Sequence, residues 1–159
     1  MMNEDDFLKS ANELLQYLCD KFGLNYIEVR AEKFDGWNKF RPSKFCSDRN
    51  YIAINELFLK EYRKYTLHEF RHYWQRENYP KVFRWWLNDH KGLYEDFQLA
   101  LDEHNQRLSY LYCPLEKDAM AFQLSGGENG CEEELINPVL KVSYWRKILR
   151  EKTMRKTDF

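Results

Sequence analysis

Apolar residues at the start of the chain recur at the intervals of one helix face. They are Phe7, Leu8, Ala11, Leu14, Leu15, Leu18 and Phe22. Intervals of three, four and seven residues place these side chains on one side of a helix, so the pattern predicts a helix over residues 5–22. Gly23 follows, at the position where a glycine commonly ends a helix.

Two short segments have the composition of β-strands. Residues 25–31 are rich in Tyr, Ile and Val, and Tyr51–Asn55 alternates and is β-branched, so both are predicted strands. Between them, Asp35-Gly36 indicates a turn that leads into a short irregular strand at 44–46. Two or three strands beside helices predict an α+β fold, in which a small mixed or antiparallel sheet packs on helices.

The second part of the chain has helical spacing. The first helix is predicted over 57–78, with Thr66 as the N-cap of its second piece and Pro80 just beyond its end. Pro114 is suited to the first position of a later helix, which Gly126-Gly127 would close. The further predicted helices cover 92–107, 114–124 and 138–156, with a loop at 125–134.

Composition and charge narrow the class of protein. A chain of 159 residues with 43% hydrophobic residues predicts one domain over 1–159, ending in a basic helix or tail at about 138–159. Four well-separated cysteines without a CxxC pair are typical of reduced thiols in a cytoplasmic protein. No apolar run approaches the roughly 20 residues of a membrane span, and the first residues are acidic where a signal peptide is basic. We therefore expect a cytoplasmic protein without a membrane partner.

A two-histidine motif lies inside the predicted helix at 57–78. Residues 68–72 read His-Glu-Phe-Arg-His. Residues four apart lie on one face of a helix, about 6 Å from each other, so His68 and His72 can reach one metal ion. Glu69 projects to the side, where it can hold a zinc-bound water and take its proton as the water attacks a carbonyl. The alternative is a helix whose histidines serve in packing or capping.

A catalytic zinc site needs a third protein ligand besides the two histidines. The candidates are Glu116, Asp118, His104, His90 and more distant carboxylates. Asp118 lies about 200° around the predicted helix from Glu116, so only one of them faces the metal, and a different register would select Asp118. Asp118 also suits the dipole of the first helical turn. His104 lies in a polar stretch typical of a solvated face, and His90 lies in a predicted loop.

The run PLEKDAMAFQ at 114–123 contains the strongest family signal. Together with the HExxH motif it resembles gluzincin-like zinc metallopeptidases, above all the small intracellular ImmA/IrrE-type domains and their phage and bacterial relatives. Their pattern Glu-x-x-Ala-x-x-Phe-Ala is matched by Glu116, Ala119 and Phe122, with Gln123 in place of the last alanine. The resemblance covers about residues 50–125 and implies that Glu116 is the third zinc ligand.

The predicted helix geometry agrees with that assignment. Glu116 lies in the first turn, and Ala119 and Phe122 follow on the same side, where a small and an aromatic residue allow close packing on the HExxH helix. Arg71 stands where many such motifs have a glycine. We expect Arg71 either to pair with a carboxylate such as Asp118 or to face solvent.

The segment 141–156 is rich in basic residues. Its seven cations are Lys141, Arg146, Lys147, Arg150, Lys152, Arg155 and Lys156. Such a run can contact nucleic acid, but the formal net charge of −1 favours a solvated amphipathic helix whose apolar side docks on the domain. Nucleic acid is therefore not an expected partner.

These features together predict a small zinc-dependent metallopeptidase. In this hypothesis His68, His72 and Glu116 bind Zn²⁺, Glu69 is the catalytic base, and the partner is a protein or peptide substrate. The alternative hypothesis is a regulatory or protein-interaction domain that keeps the metal site without turnover.

Overall fold

A computed structural model describes residues 1–108, 112–136 and 139–157. The predicted α+β fold is confirmed, because helices occur together with a small three-stranded mixed sheet. The chain divides into two compact units, 1–74 with 121–130 and 75–120 with 131–159. The single domain over 1–159 stays a prediction. Within the described residues, no helix has the length and apolar character that crossing a membrane requires.

The first unit begins with helix α1, Glu4–Phe22, as the apolar spacing predicts. Its start is a capping box, in which Asn3 accepts from the Asp6 N–H at 2.9 Å and Asp6 accepts from the Asn3 N–H at 3.1 Å. Gly23 ends the helix in the left-handed conformation, with φ of 66°. Local signals at both ends therefore determine this helix.

The sheet consists of β1, Glu28–Glu32, β2, Ser43–Cys46, and β3, Tyr51–Asn55. β3 lies in the middle, parallel to β1 and antiparallel to β2, and all five of its residues are buried. The predicted strands at 44–46 and 51–55 are confirmed, while β1 begins three residues later than the strand predicted at 25–31. The sheet is therefore of the mixed type.

A polar side chain of α1 attaches that helix to β1. The Asn12 amide accepts from the Val29 N–H at 2.9 Å and donates to the Val29 carbonyl at 3.0 Å. This pair of bonds imitates the backbone pairing of a neighbouring strand. The outer edge of β1 is thereby satisfied at Val29.

The helix with the HExxH motif follows β3 through a 3₁₀ turn, Glu56–Glu61. Helix α2 then covers Tyr62–Asn78 without interruption. The prediction of Thr66 as an N-cap is wrong, because Thr66 lies fully buried inside α2. Asn55 caps the 3₁₀ turn ahead of α2, since its side chain accepts from the Leu57 N–H at 3.1 Å.

The second unit continues with α3, Pro80–Arg84, and a π-helical turn, Trp85–His90. Pro80 occupies the first position of α3, which agrees with the predicted end of the preceding helix. The predicted continuous helix at 92–107 is wrong. It is divided into α4, Lys91–Ala100, and α5, Glu103–Arg107. The division arises because Asp102 caps α5, accepting from the Asn105 N–H at 2.8 Å.

Three further helices complete the described chain. They are α6, Pro114–Leu124, α7, Glu133–Ile136, and α8, Val139–Thr157. The prediction for 114–124 is confirmed, whereas the loop predicted at 125–134 ends early because α7 begins at Glu133. α8 agrees with the helix predicted over 138–156, although residue 138 lies outside the described residues. In α8, Val142 and Trp145 are buried, and Trp145 contacts the rings of Trp86, Tyr94 and Phe97.

Candidate metal centre

Helix α2 presents the two motif histidines one turn apart. The ring centroids of His68 and His72 are 4.9 Å apart, and the rings are inclined by 77°. Both residues are half-buried. A pair of imidazoles on one helix face, partly open to solvent, has the spacing that a shared metal ion requires.

Glu116 lies in the first turn of α6 and joins the same cluster. One possible ligand atom from each of His68, His72 and Glu116 lies within 4.8 Å of the others. Two atoms bound to one zinc ion at about 2.1 Å and at the tetrahedral angle are about 3.4 Å apart. The three donors therefore need shifts of only a fraction of an ångström each, which ordinary side-chain torsions supply.

Helices α2 and α6 contact each other within each of the two units. In the first unit, the fully buried rings of Phe70 and Phe122 lie 5.9 Å apart. In the second unit, the Gln75 amide donates to the Leu115 carbonyl at 2.9 Å. This bond joins the last part of α2 to the first turn of α6 within the second unit.

Asp118 serves a structural purpose in the second unit. It is fully buried, and its two carboxylate oxygens accept from the Gln75 amide at 2.8 Å and the Cys131 N–H at 2.7 Å. Asp118 is not in the metal-ligating cluster of the described residues. Sequence reasoning missed Gln75, since a glutamine on the buried side of a helix has no motif to reveal its partner.

The two other histidines do not belong to the cluster found among the described residues. His104 is exposed on α5, as its polar surroundings predict. His90 ends the π-helical turn and does not lie in the predicted loop. Its ring stacks on Trp85 with centroids 4.0 Å apart, and its Nδ1 lies 3.1 Å from the Trp85 carbonyl.

Arg71 packs inside the protein. Its side chain is 2% exposed, so the expected alternative of a solvent-facing arginine is wrong. The guanidinium carbon lies 3.6 Å from the centroid of the Trp74 ring and 5.0 Å from that of Phe122. The planar cation stacks on aromatic faces, which stabilises a buried arginine.

Glu69 is buried beside the sheet. It is 5% exposed, and its Oε1 accepts a hydrogen bond of 2.7 Å from the hydroxyl of Ser43, which is equally buried. Ser43 is the first residue of β2. Sequence reasoning missed this serine, because nothing in the alternation of a four-residue strand identifies a partner 26 positions away.

The pKa of the Cys113 thiol depends on burial and on the charge of Glu116. This thiol is fully buried, and burial is the main reason why its pKa lies well above the usual range. The charge of Glu116 raises the pKa further. Burial also raises the pKa of Cys19. Both effects keep the thiols protonated and unreactive, as expected for structural cysteines.

The glycine-rich loop after α6 is a structured turn. Gly127 donates to the Phe122 carbonyl at 3.0 Å, and the Ser125 hydroxyl accepts from the N–H groups of Glu128 and Asn129. Those two N–H groups are therefore occupied within the loop. The loop closes α6 as the glycine pair predicts.

Comparison with known proteins found no similar family model, curated protein or solved structure. The resemblance to gluzincin-like peptidases thus stays a prediction from the motifs quoted above. The functional argument that follows depends on the side chains of this chain.

Proposed function

We propose that this protein is a zinc-dependent hydrolase that cleaves peptide bonds in a protein or peptide substrate. One observation carries the proposal, namely that His68, His72 and Glu116 bring three possible ligand atoms within 4.8 Å of one another. Two imidazoles and one carboxylate form the ligand set of many catalytic zinc sites, and three protein ligands leave one coordination position open. The half-buried state of all three residues is compatible with access from solvent.

Glu69 is the group proposed to move protons. Zinc, when bound, supplies the Lewis acidity that polarises a carbonyl and brings the pKa of water toward neutrality. The Glu69 carboxylate accepts the proton of the attacking water and later returns it to the leaving amine. Glu69 follows His68 directly in α2 and is 5% exposed.

The metal assignment is tested by zinc stoichiometry. Purified protein is incubated with zinc, dialysed and analysed for metal, and we expect about one ion per chain. His68→Ala, His72→Ala and Glu116→Ala each reduce the content to substoichiometric values. His104→Ala is the matched control and keeps the metal, because His104 is exposed and outside the cluster. A wild-type protein that stays empty, or equal losses in the control, refutes the site.

Hydrolysis is tested separately with the zinc-loaded protein. The probe is a mixture of peptides from a digested cell lysate, and new peptide ends are identified by mass spectrometry. Glu69→Gln should keep the zinc and lower cleavage by about 100-fold or more, as expected for loss of a general base. Glu95→Gln, at an exposed position of α4, is the control. A zinc-loaded wild type that generates no new ends supports the non-catalytic alternative.

A further inference from the structure

We propose that Ser43 is a positioning residue, which holds the Glu69 carboxylate in the orientation needed for proton transfer. This inference depends on the proposed function, because it assigns Ser43 a role through Glu69. The Ser43 hydroxyl donates to Oε1 at 2.7 Å, and both side chains are only 5% exposed. Among the described residues, Ser43 is the hydrogen-bond partner that the structure gives to Glu69.

A second side-chain contact between β2 and α2 lies one helical turn from the Ser43–Glu69 bond. Alternate side chains of β2 contact side chains one turn apart on α2, since Ser43 bonds to Glu69 and Phe45 lies 5.7 Å from the ring of Tyr73. Two residues of a strand advance about 6.6 Å, and four residues of a helix advance about 6.0 Å. The two rises agree, so the apolar contact fixes the register that places the serine opposite the glutamate.

The backbone that carries Ser43 is held on both sides. The Asn55 N–H donates to the Pro42 carbonyl at 2.8 Å, and the Asn55 side chain donates to the Arg41 carbonyl at 2.9 Å. The Arg41 side chain in turn donates to the Ser43 carbonyl at 3.0 Å. Asn55 is 1% exposed, which shields these bonds from water. With the backbone held, the hydroxyl is directed by one side-chain torsion only.

The chemistry of the pair explains why a serine suits this position. A neutral hydroxyl donates one short bond to a carboxylate oxygen without neutralising its charge. Glu69 therefore keeps a second oxygen for the transferred proton. A glutamate side chain has three torsions, and a bond at Oε1 removes much of the freedom that would otherwise move the base away from its target.

The test compares Ser43→Ala with Ser43→Thr, which retains a hydroxyl and favours a strand. The first readout is the position of the Glu69 carboxylate in crystal structures of each protein, and it needs no activity. We expect Glu69 to leave its wild-type rotamer in Ser43→Ala and to keep that rotamer in Ser43→Thr. Ser143→Ala, at an exposed position of α8, is the matched control. A Glu69 carboxylate that keeps its position in Ser43→Ala overturns the proposal.

The second readout separates positioning from a structural role. We expect Ser43→Ala to lower kcat by about 10- to 100-fold, as for other residues that orient a functional group, while KM and the zinc content stay within about twofold. Ser43→Thr should recover most of kcat. An unchanged kcat, or a loss of zinc equal to the loss of activity, overturns the proposal. Failure of the proposed function is recognised separately. In that case the wild-type protein fails the zinc assay or the cleavage assay, whereas the comparison of Glu69 rotamers in the crystal structures still tests the role of Ser43.

Discussion

Replacing Gln75 by leucine tests how the second unit holds the last part of α2 against the start of α6. Gln75 is fully buried in α2, and its amide donates to both the Leu115 carbonyl at 2.9 Å and the Asp118 carboxylate at 2.8 Å. Leucine has a similar volume and cannot donate a hydrogen bond. The substitution therefore removes both bonds, and no large cavity forms.

The expected loss of stability follows from those two bonds. A bond to a neutral carbonyl contributes about 1 kcal/mol, and a bond to a carboxylate contributes about 1.5 to 3 kcal/mol. Greater burial of apolar surface by leucine offsets roughly 1 kcal/mol of this sum. We expect the free energy of unfolding to fall by about 2 kcal/mol, which for a chain of this size lowers Tm by roughly 4 to 8 °C.

Urea unfolding of the metal-free protein measures this change. Gln16→Leu is the matched control, since Gln16 is exposed on α1, and its unfolding free energy should stay within about 0.5 kcal/mol of wild type. Zinc affinity is a second measurement. Gln75→Leu alters none of the proposed ligands, so we expect affinity to weaken by about tenfold through the loss of the two bonds between α2 and α6. A Gln75→Leu protein as stable as the control would refute the reasoning.

Two further predictions concern local structure and pH. Gly127→Ala should lower the unfolding free energy by about 1–3 kcal/mol in urea unfolding, because Gly127 has φ of +90° and a Cβ there would lie 2.9 Å from a Leu67 methyl. Gly92→Ala, which meets nothing within 4 Å on α4, should be neutral or stabilising, and an equal loss would contradict this explanation. The pKa of Cys113 is raised in the folded state, so the folded protein holds the proton longer, and stability should fall as pH rises above about 8.5. Urea unfolding from pH 7 to 10 should show a smaller decline in Cys113→Ala, and an identical decline would exclude Cys113 as its source.

The elements that the sequence predicts well are those with signals inside the element. α1 has a continuous apolar face, a cap at Asn3 and a stop at Gly23, so both ends follow from neighbouring residues. α6 has Pro114 at its start and a glycine pair after it. The HExxH motif is equally local, because its two histidines are related by one helical turn. Each of these patterns can be seen without knowing the tertiary structure.

The features that the sequence does not predict depend on partners far along the chain. The start of α2 is an example. Thr66 has the residue type of a cap, but it lies in the middle of α2 and its side chain is buried. The choice between Glu116 and Asp118 is similar. Both are carboxylates near the start of one helix, and only the bonds from Gln75 and the Cys131 N–H show that Asp118 is already used in packing.

Asn55 shows how one side chain can connect several of these long-range choices. Its side-chain oxygen caps the 3₁₀ turn that leads into α2. Its side-chain NH₂ group donates to the backbone carbonyls of Lys39 and Arg41, just before β2. Ser43 and Glu69 lie on the two elements that follow these bonds. Because the entry to the HExxH helix and the entry to β2 are attached to the same buried residue, a shift of either element has to break bonds at Asn55. The position of the proposed base relative to its serine partner is therefore a property of the end of β3, which neither motif spacing nor helical periodicity encodes.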